Sequence, residues 1–178
     1  MQPELIPITM LQSAKTMARY NTWMNEKLYA CCATLSDEQR KRDLRAFFGS
    51  IHATLNHLLV ADRIWMGRFT GTPFTVASLR EELYADFEEL RLARAEEDLR
   101  IEAWVARLTP EDTGSELRYR SIVNPEPRAY PLWFALTHFF NHQTHHRGQV
   151  TTLLMQLGVD VGVTDLIMLP EFQRAVSG

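Results

Sequence analysis

Apolar side chains recur at helical spacing from about Thr9 to Leu35, at Leu11, Ala14, Met17, Ala18, Met24 and Leu28, with no glycine or proline between them. This stretch predicts a first long helix. Ser36 with Gln39 three residues on forms a capping-box pattern, so a short helical turn should precede a loop around Arg40 to Arg45. A second long helix is expected from near Ser50 to about Phe69, halted by Gly71 and Pro73. Ser78 and Glu81 form another capping-box pattern, which opens a third helix reaching about Leu108 and ending at Thr109 and Pro110; its charge makes it the most solvated of the long helices. From Ser115 to Tyr130 the pattern changes to alternation (Leu117, Tyr119, Ile122) and then Asn124-Pro125-Glu126-Pro127, the mark of a small hairpin or extended excursion. Pro131 suits the first turn of a fourth long helix that runs to about Leu157, with Gly158 as its stop. The last twenty residues, apolar at Val159, Val161 and Leu166 to Leu169, lack helical length and are expected to pack across one end of the molecule. The expected fold is all-α: a four-helix bundle with a short hairpin-like excursion before the last long helix, formed by residues 1–178 as one domain.

Charge narrows the possible partners. A formal net charge of -3 and a pI near 6.1, without a clustered excess of lysine and arginine, argue against phosphate-driven binding of nucleic acid. The run Arg40-Lys41-Arg42 reads as a solvated loop. No secretory signal pattern opens the sequence, and charge or histidine interrupts every apolar stretch well short of the roughly 18 residues of a membrane span. The two cysteines, Cys31 and Cys32, are neighbours in a helical pattern and cannot bridge without strain. A reducing, cytoplasmic setting is therefore expected, with both thiols as small packed side chains.

Four of the six histidines lie within nine residues: His138, His142, His145 and His146. Projected at about 100° per residue with His142 at zero, Leu132, Ala135, Phe139, Val150, Leu153 and Leu157 fill the arc from roughly 20° to 80°. His146 falls near 40°, inside that arc, while His138 and His145 fall near -40° and -60° at its edge. His142 and His146 thus point inward one turn apart, the spacing that lets two helical imidazoles share a metal ion. A third ligand should come from a facing helix. His57 shares a face with Ala53, Ala61 and Ile64, whereas His52 projects about 140° away and is expected on the surface or rim. His57, His142 and His146 are therefore the candidate metal ligands. His138 and His145 are expected at the rim or in hydrogen bonds behind the ligands. Between the helical pair the metalloprotease motif places a glutamate, but here the residue is Gln143, which disfavours a peptidase of that mechanism. A base must come from a metal-bound water or a flanking ring such as His145.

Three segments resemble the DinB-like (DinB/YfiT) family: Tyr20-Asn21-Thr22-Trp23-Met24-Asn25-Glu26-Lys27-Leu28, Leu55-Asn56-His57-Leu58-Leu59-Val60-Ala61-Asp62-Arg63-Ile64-Trp65, and Asn141-His142-Gln143-Thr144-His145-His146-Arg147-Gly148-Gln149. The likeness spans nearly the whole chain, and the third segment is the most specific. It implies a four-helix bundle with a three-histidine metal site on His57, His142 and His146, and Asp62 and Trp65 match the family's acid and aromatic residue after the first ligand. Some relatives are thiol-dependent enzymes, bacillithiol S-transferases and a mycothiol-dependent maleylpyruvate isomerase among them. The resemblance thus implies a metal-dependent thiol S-transferase or hydrolase that takes a low-molecular-weight thiol and a small electrophile. Under that enzyme reading Trp65, Phe139 and the segment near Asp165 to Phe172 are the expected pocket walls. The other reading is a non-catalytic, metal-stabilised protein of the damage or stress response that acts as a homodimer. One divalent ion is expected, zinc or nickel foremost, with iron, manganese or copper as alternatives.

Overall fold

A computed structural model describes residues 10–120 and 126–173. Helix α1 (Met10–Ala33) is followed by the short α2 (Asp37–Lys41), then α3 (Ile51–Thr70), α4 (Phe87–Arg107) and the short α5 (Pro110–Gly114). Strands β1 (Glu116–Arg120) and β2 (Pro127–Pro131) lead into α6 (Leu132–Gln156), and two single 3-10 turns follow at Leu166–Met168 and Pro170–Phe172. The chain is thus mainly helical with one small sheet. Among the four long helices, α1 packs on α4 and α6, and α3 packs on α6 and α4.

The chain chooses its helix ends through local chemistry. Ser36 and Gln39 form the expected reciprocal capping box on α2. Ser50 accepts from the Ala53 amide to start α3, and Gly71 ends it in the left-handed region at φ 71°. The Ser78 pattern does not open a helix. Its hydroxyl accepts from the Arg80 amide, Glu81 instead takes the Ala77 amide, and α4 begins only after Asp86, whose carboxylate accepts from Glu89. Competition from α3 accounts for the delay: Asn56 accepts from the Tyr84 amide and donates to its carbonyl, and His52 Nε2 donates to the same carbonyl at 2.9 Å. The backbone there is engaged by side chains rather than by a helical ladder. His52 is therefore not a rim residue, since it is 1% exposed beneath this loop. Gly67 permits the loop to turn back, because a Cβ there would stand 2.7 Å from the Thr72 carbonyl oxygen and 2.8 Å from the Phe74 amide.

Two further expectations change near the ends of these helices. The basic run is only in part a solvated loop: Lys41 and Arg42 are exposed, but Arg40 and Lys41 belong to α2, and Arg40 donates to the Cys32 and Leu35 carbonyls while its guanidinium lies 4.2 Å from the Phe87 ring centre. Thr109 and Pro110 end α4 as expected but also start α5, where Thr109 and Asp112 cap each other reciprocally. The hairpin is present, with Leu117 opposite Tyr130 and Tyr119 opposite Arg128. Pro131 closes β2 and caps α6 rather than lying in its first turn. Thr9, Ile122, Asn124 and Pro125 lie outside the described residues.

Among the described residues the interior has three apolar clusters, a small one at Val60, Ile64 and Val76 and two larger ones with a polar layer between them. One gathers Leu28, Cys32, Leu55, Leu59, Leu90, Val150 and Leu154; the other gathers Ala14, Ala18, Met66, Ile101, Val105, Leu136 and Phe139. Between them Arg94 pairs with Asp62 at 2.5 Å and with Asp98 at 2.9 Å, and Asn21 and Asn25 donate to Asp98. Arg147 donates to Asn21, and the Gln143 amide is buried in the same layer. The third long helix is accordingly not merely a solvated strut, because Arg94, Glu97 and Asp98 on its inner face are at most 4% exposed.

The C-terminal segment follows the flank of α1 rather than crossing an end. Lys27 donates to the Val163 carbonyl, the Tyr20 hydroxyl donates to that of Thr164, and Arg19 pairs with Glu171 at 2.7 Å. Cys31 and Cys32 are free thiols, and burial pushes that of Cys32 up to about 12, which leaves it inert. No helix among the described residues is long and apolar enough to cross a membrane.

Candidate metal centre

Helix α3 and helix α6 bring His57, His142 and His146 together. Their candidate ligand nitrogens all lie within 4.8 Å of one another. His142 Nε2 stands 3.4 Å from His57 Nε2 and 3.1 Å from His146 Nε2. Two nitrogens bound to one tetrahedral ion at about 2.05 Å would be separated by roughly 3.3 Å. The observed spacings fall on either side of that value.

The outer nitrogens decide which lone pairs face inward. His57 Nδ1 donates to the Leu79 carbonyl at 2.9 Å, so its Nε2 carries the lone pair. His146 Nδ1 donates to the Gln149 side-chain oxygen at 2.8 Å, with the same result. Only His142 can carry a proton at Nε2, and one proton cannot satisfy two lone pairs on different sides. A cation satisfies all three. Burial depresses the basicity of each ring, bringing His57 to about 4 and His142 to about 3, with the neighbouring histidines adding to the effect at His142. Burial lowers His146 as well. All three are therefore neutral and able to ligate at pH 7.

Aromatic rings hold this arrangement in place. Phe48 stacks on His57 with ring centres 3.9 Å apart and meets His146 edge-on at 5.5 Å. His142 is half-buried, so the cluster is reachable from its side. His138 and His145 are exposed beside it, as expected for rim positions. Gln149 donates to His145 Nε2 at 3.3 Å, tying that ring to the one behind His146. The ring centre of His138 lies 5.0 Å from that of Trp65 and 6.0 Å from that of His142.

Three expected participants stand elsewhere. Asp62 belongs to the polar layer, bonded to Arg94, and its charge reaches His146 only through space. Phe139 is 1% exposed and packs edge-on against Phe69, a core position rather than a pocket wall. The stretch from Asp165 to Phe172 is bonded to α1 through Glu171. A groove of about 390 Å³ between α1 and α4, floored by Tyr29, Arg94 and Asp98, contains none of the histidines.

A profile of the DinB family matches residues 10–175. The chain belongs to the DinB family. It is 26% identical over 151 residues to Protein DinB of Bacillus subtilis (strain 168), an alignment covering 82% of this chain and 87% of that protein. Its fold is similar to that of a DinB-like protein from Bacillus cereus ATCC 10987, with a TM-score of 0.57 and 21% identity over 80% of this chain and 91% of that one. This DinB-family chain carries its three-histidine cluster, compatible with a metal ion, between two of its long helices. Phe48, Leu79 and Gln149 were not identified from sequence. Gln149 had a readable signal, three residues past His146 on the same helix, whereas Phe48 and Leu79 reach the cluster from loops that carry no periodicity.

Proposed function

We propose that this DinB-family protein is a four-helix bundle of the DinB/YfiT type that binds one divalent ion, zinc or nickel foremost, through the Nε2 atoms of His57, His142 and His146. The observation that carries the reading is the pair of outer hydrogen bonds, to Leu79 and Gln149, that turn two lone pairs onto the third ring at ligand-to-ligand spacing. Three neutral imidazoles fit such an ion and leave a coordination position open. When bound there, the ion would lower the pKa of a water or small thiol at its open position by several units.

The chain's own groups supply the rest. His57 and His146 are locked by their outer partners, so the geometry is set before any ligand arrives. Phe48 excludes water from one side of the cluster. His138, at the exposed rim, is the flanking ring suited to accept a proton from an incoming thiol: partial desolvation, with the Arg68 charge adding to it, lowers its basicity and it stays neutral, with no hydrogen bond to its ring nitrogens among the described residues. His145 is less suited, because its Nε2 already accepts from Gln149. The reaction that follows is transfer of a low-molecular-weight thiol to a small electrophile.

The test is consumption of a panel of small thiols in the presence of electrophiles by the zinc- and nickel-loaded protein. Turnover that disappears in H142A and falls about 100-fold or more in H138A is expected for a general base. Stoichiometric metal without turnover on any pair would overturn the catalytic reading and leave a metal-stabilised binding protein.

A further inference from the structure

Beside the histidine centre stands an arginine that the metal chemistry does not use. Arg68, in the last turn of α3, lies against an edge-to-face pair of aromatic rings: its guanidinium carbon is 4.5 Å from the Trp65 ring centre and 4.2 Å from that of Tyr119 on β1, the two ring centres being 5.4 Å apart. Contact with both rings restrains the group. Among the described residues no carboxylate pairs with Arg68 and no acceptor takes a hydrogen bond from its side chain, although Arg63 and Arg94 on the neighbouring faces are both ion-paired. The residue is half-buried, yet its nitrogens are not sealed from solvent. Burial also lowers its pKa, the sign of a cation partly stripped of water without an anion in exchange.

Its position relates it to the cluster. Trp65 touches Arg68 on one side and the His138 ring on the other, and His138 neighbours His142. The positive charge of Arg68 is felt at His138. The unpaired guanidinium thus lies on the Trp65 and His138 side of the centre, the side on which His142 is half-buried rather than sealed.

We infer that Arg68 is a carboxylate anchor, and that the small molecule acted on at the histidine centre carries a carboxylate which Arg68, seated against Trp65 and Tyr119, receives. The inference rests on the reading of that centre given above, and it names the substrate class: a small organic carboxylate, on either the electrophile or the thiol. A planar fork complements a planar carboxylate in bidentate fashion. Phosphate groups favour several cations, but Arg128, opposite Tyr119 across the hairpin, donates to the Tyr130 hydroxyl at 3.1 Å, and His138 is neutral, so neither is a ready second cation. The hairpin before α6 takes part in this arrangement, because β1 delivers Tyr119 to both Trp65 and the guanidinium.

The test is an NMR titration of the full-length protein with succinate, its uncharged analogue succinamide, and inorganic phosphate, before and after removal of bound metal by a chelator. Succinate should shift the Trp65 indole N–H and the His138 ring saturably, with or without metal, while succinamide does not and phosphate binds more weakly. R68Q, which retains a planar stacking group, should weaken succinate binding by about tenfold or more. R68K, which keeps the charge without the fork, should fall between the two. Thermal unfolding of each variant checks that the fold is retained, and R68K carries the test if R68Q does not fold. Unchanged succinate binding in both variants would overturn the inference, as would equal binding of phosphate or succinamide, or the absence of a saturable shift. Succinate binding that vanishes with the metal would place the carboxylate on the ion rather than on Arg68 and would also overturn it. A protein that holds no metal but still binds succinate through Arg68 would sink the metal reading alone.

Discussion

Gln149 does two things at once: its carbonyl oxygen fixes the proton on His146 Nδ1, and its amide reaches His145. Removing it with Q149L leaves the ring free to rotate and to swap tautomers. Metal affinity is expected to fall about 10- to 100-fold with little loss of fold stability, measured by competition with a chromogenic chelator. At this scale the sequence was most informative where a helix carried the information. The angular projection of α6 set His142 and His146 on the inner arc, and both meet His57. The same reasoning failed for His52, because a residue turned away from α6 is exposed only if nothing else covers it, and the loop after α3 does. A helical wheel has no knowledge of a covering loop. Asp62 was recognised through resemblance but not its partner, since an ion pair with Arg94 thirty-two residues away leaves no local trace.

The long helices were legible as elements because apolar spacing ran unbroken through α1, α3 and α6 and Ser50 and Gly71 bounded α3, and the hairpin because alternation and proline agreed. The start of α4 was not. Ser78 and Glu81 carry a capping pattern that is satisfied as a turn, while the true cap, Asp86, precedes Phe87 of the core cluster. Between the apolar ends of α1, α3, α4 and α6 lies the polar layer around Arg94, whose two carboxylate partners are both buried. R94M would leave Asp62 and Asp98 without their common cation. Burial already pushes Asp98 up to about 6, so losing the guanidinium adds to an existing cost. A loss of about 3–5 kcal/mol in unfolding free energy is expected from urea denaturation. A change below about 1 kcal/mol would mean that the layer is not held by this pair.

For the molecule as a whole, metal and protons compete for the same interior. Without metal, the folded chain keeps His57 near 4 and His142 near 3, whereas the unfolded chain takes up protons at about 6.5. Stability from these rings is therefore complete above about pH 6.5 and drains away as pH falls through 4 toward 3, because the unfolded state binds the protons that the folded state refuses. The melting temperature of chelator-treated protein should fall across that window more steeply than that of H57A/H142A. Bound metal at a hundred times its dissociation constant would add about 2.7 kcal/mol at neutral pH. The most direct measurement is the metal content of the purified protein by mass spectrometry, combined with X-ray absorption at the edge of the metal found. About one ion per chain with three nitrogen neighbours at roughly 2.0–2.1 Å is expected, lost in H57A, H142A and H146A alike. A protein without stoichiometric metal, or one that keeps its ion after any of these three replacements, would contradict the account.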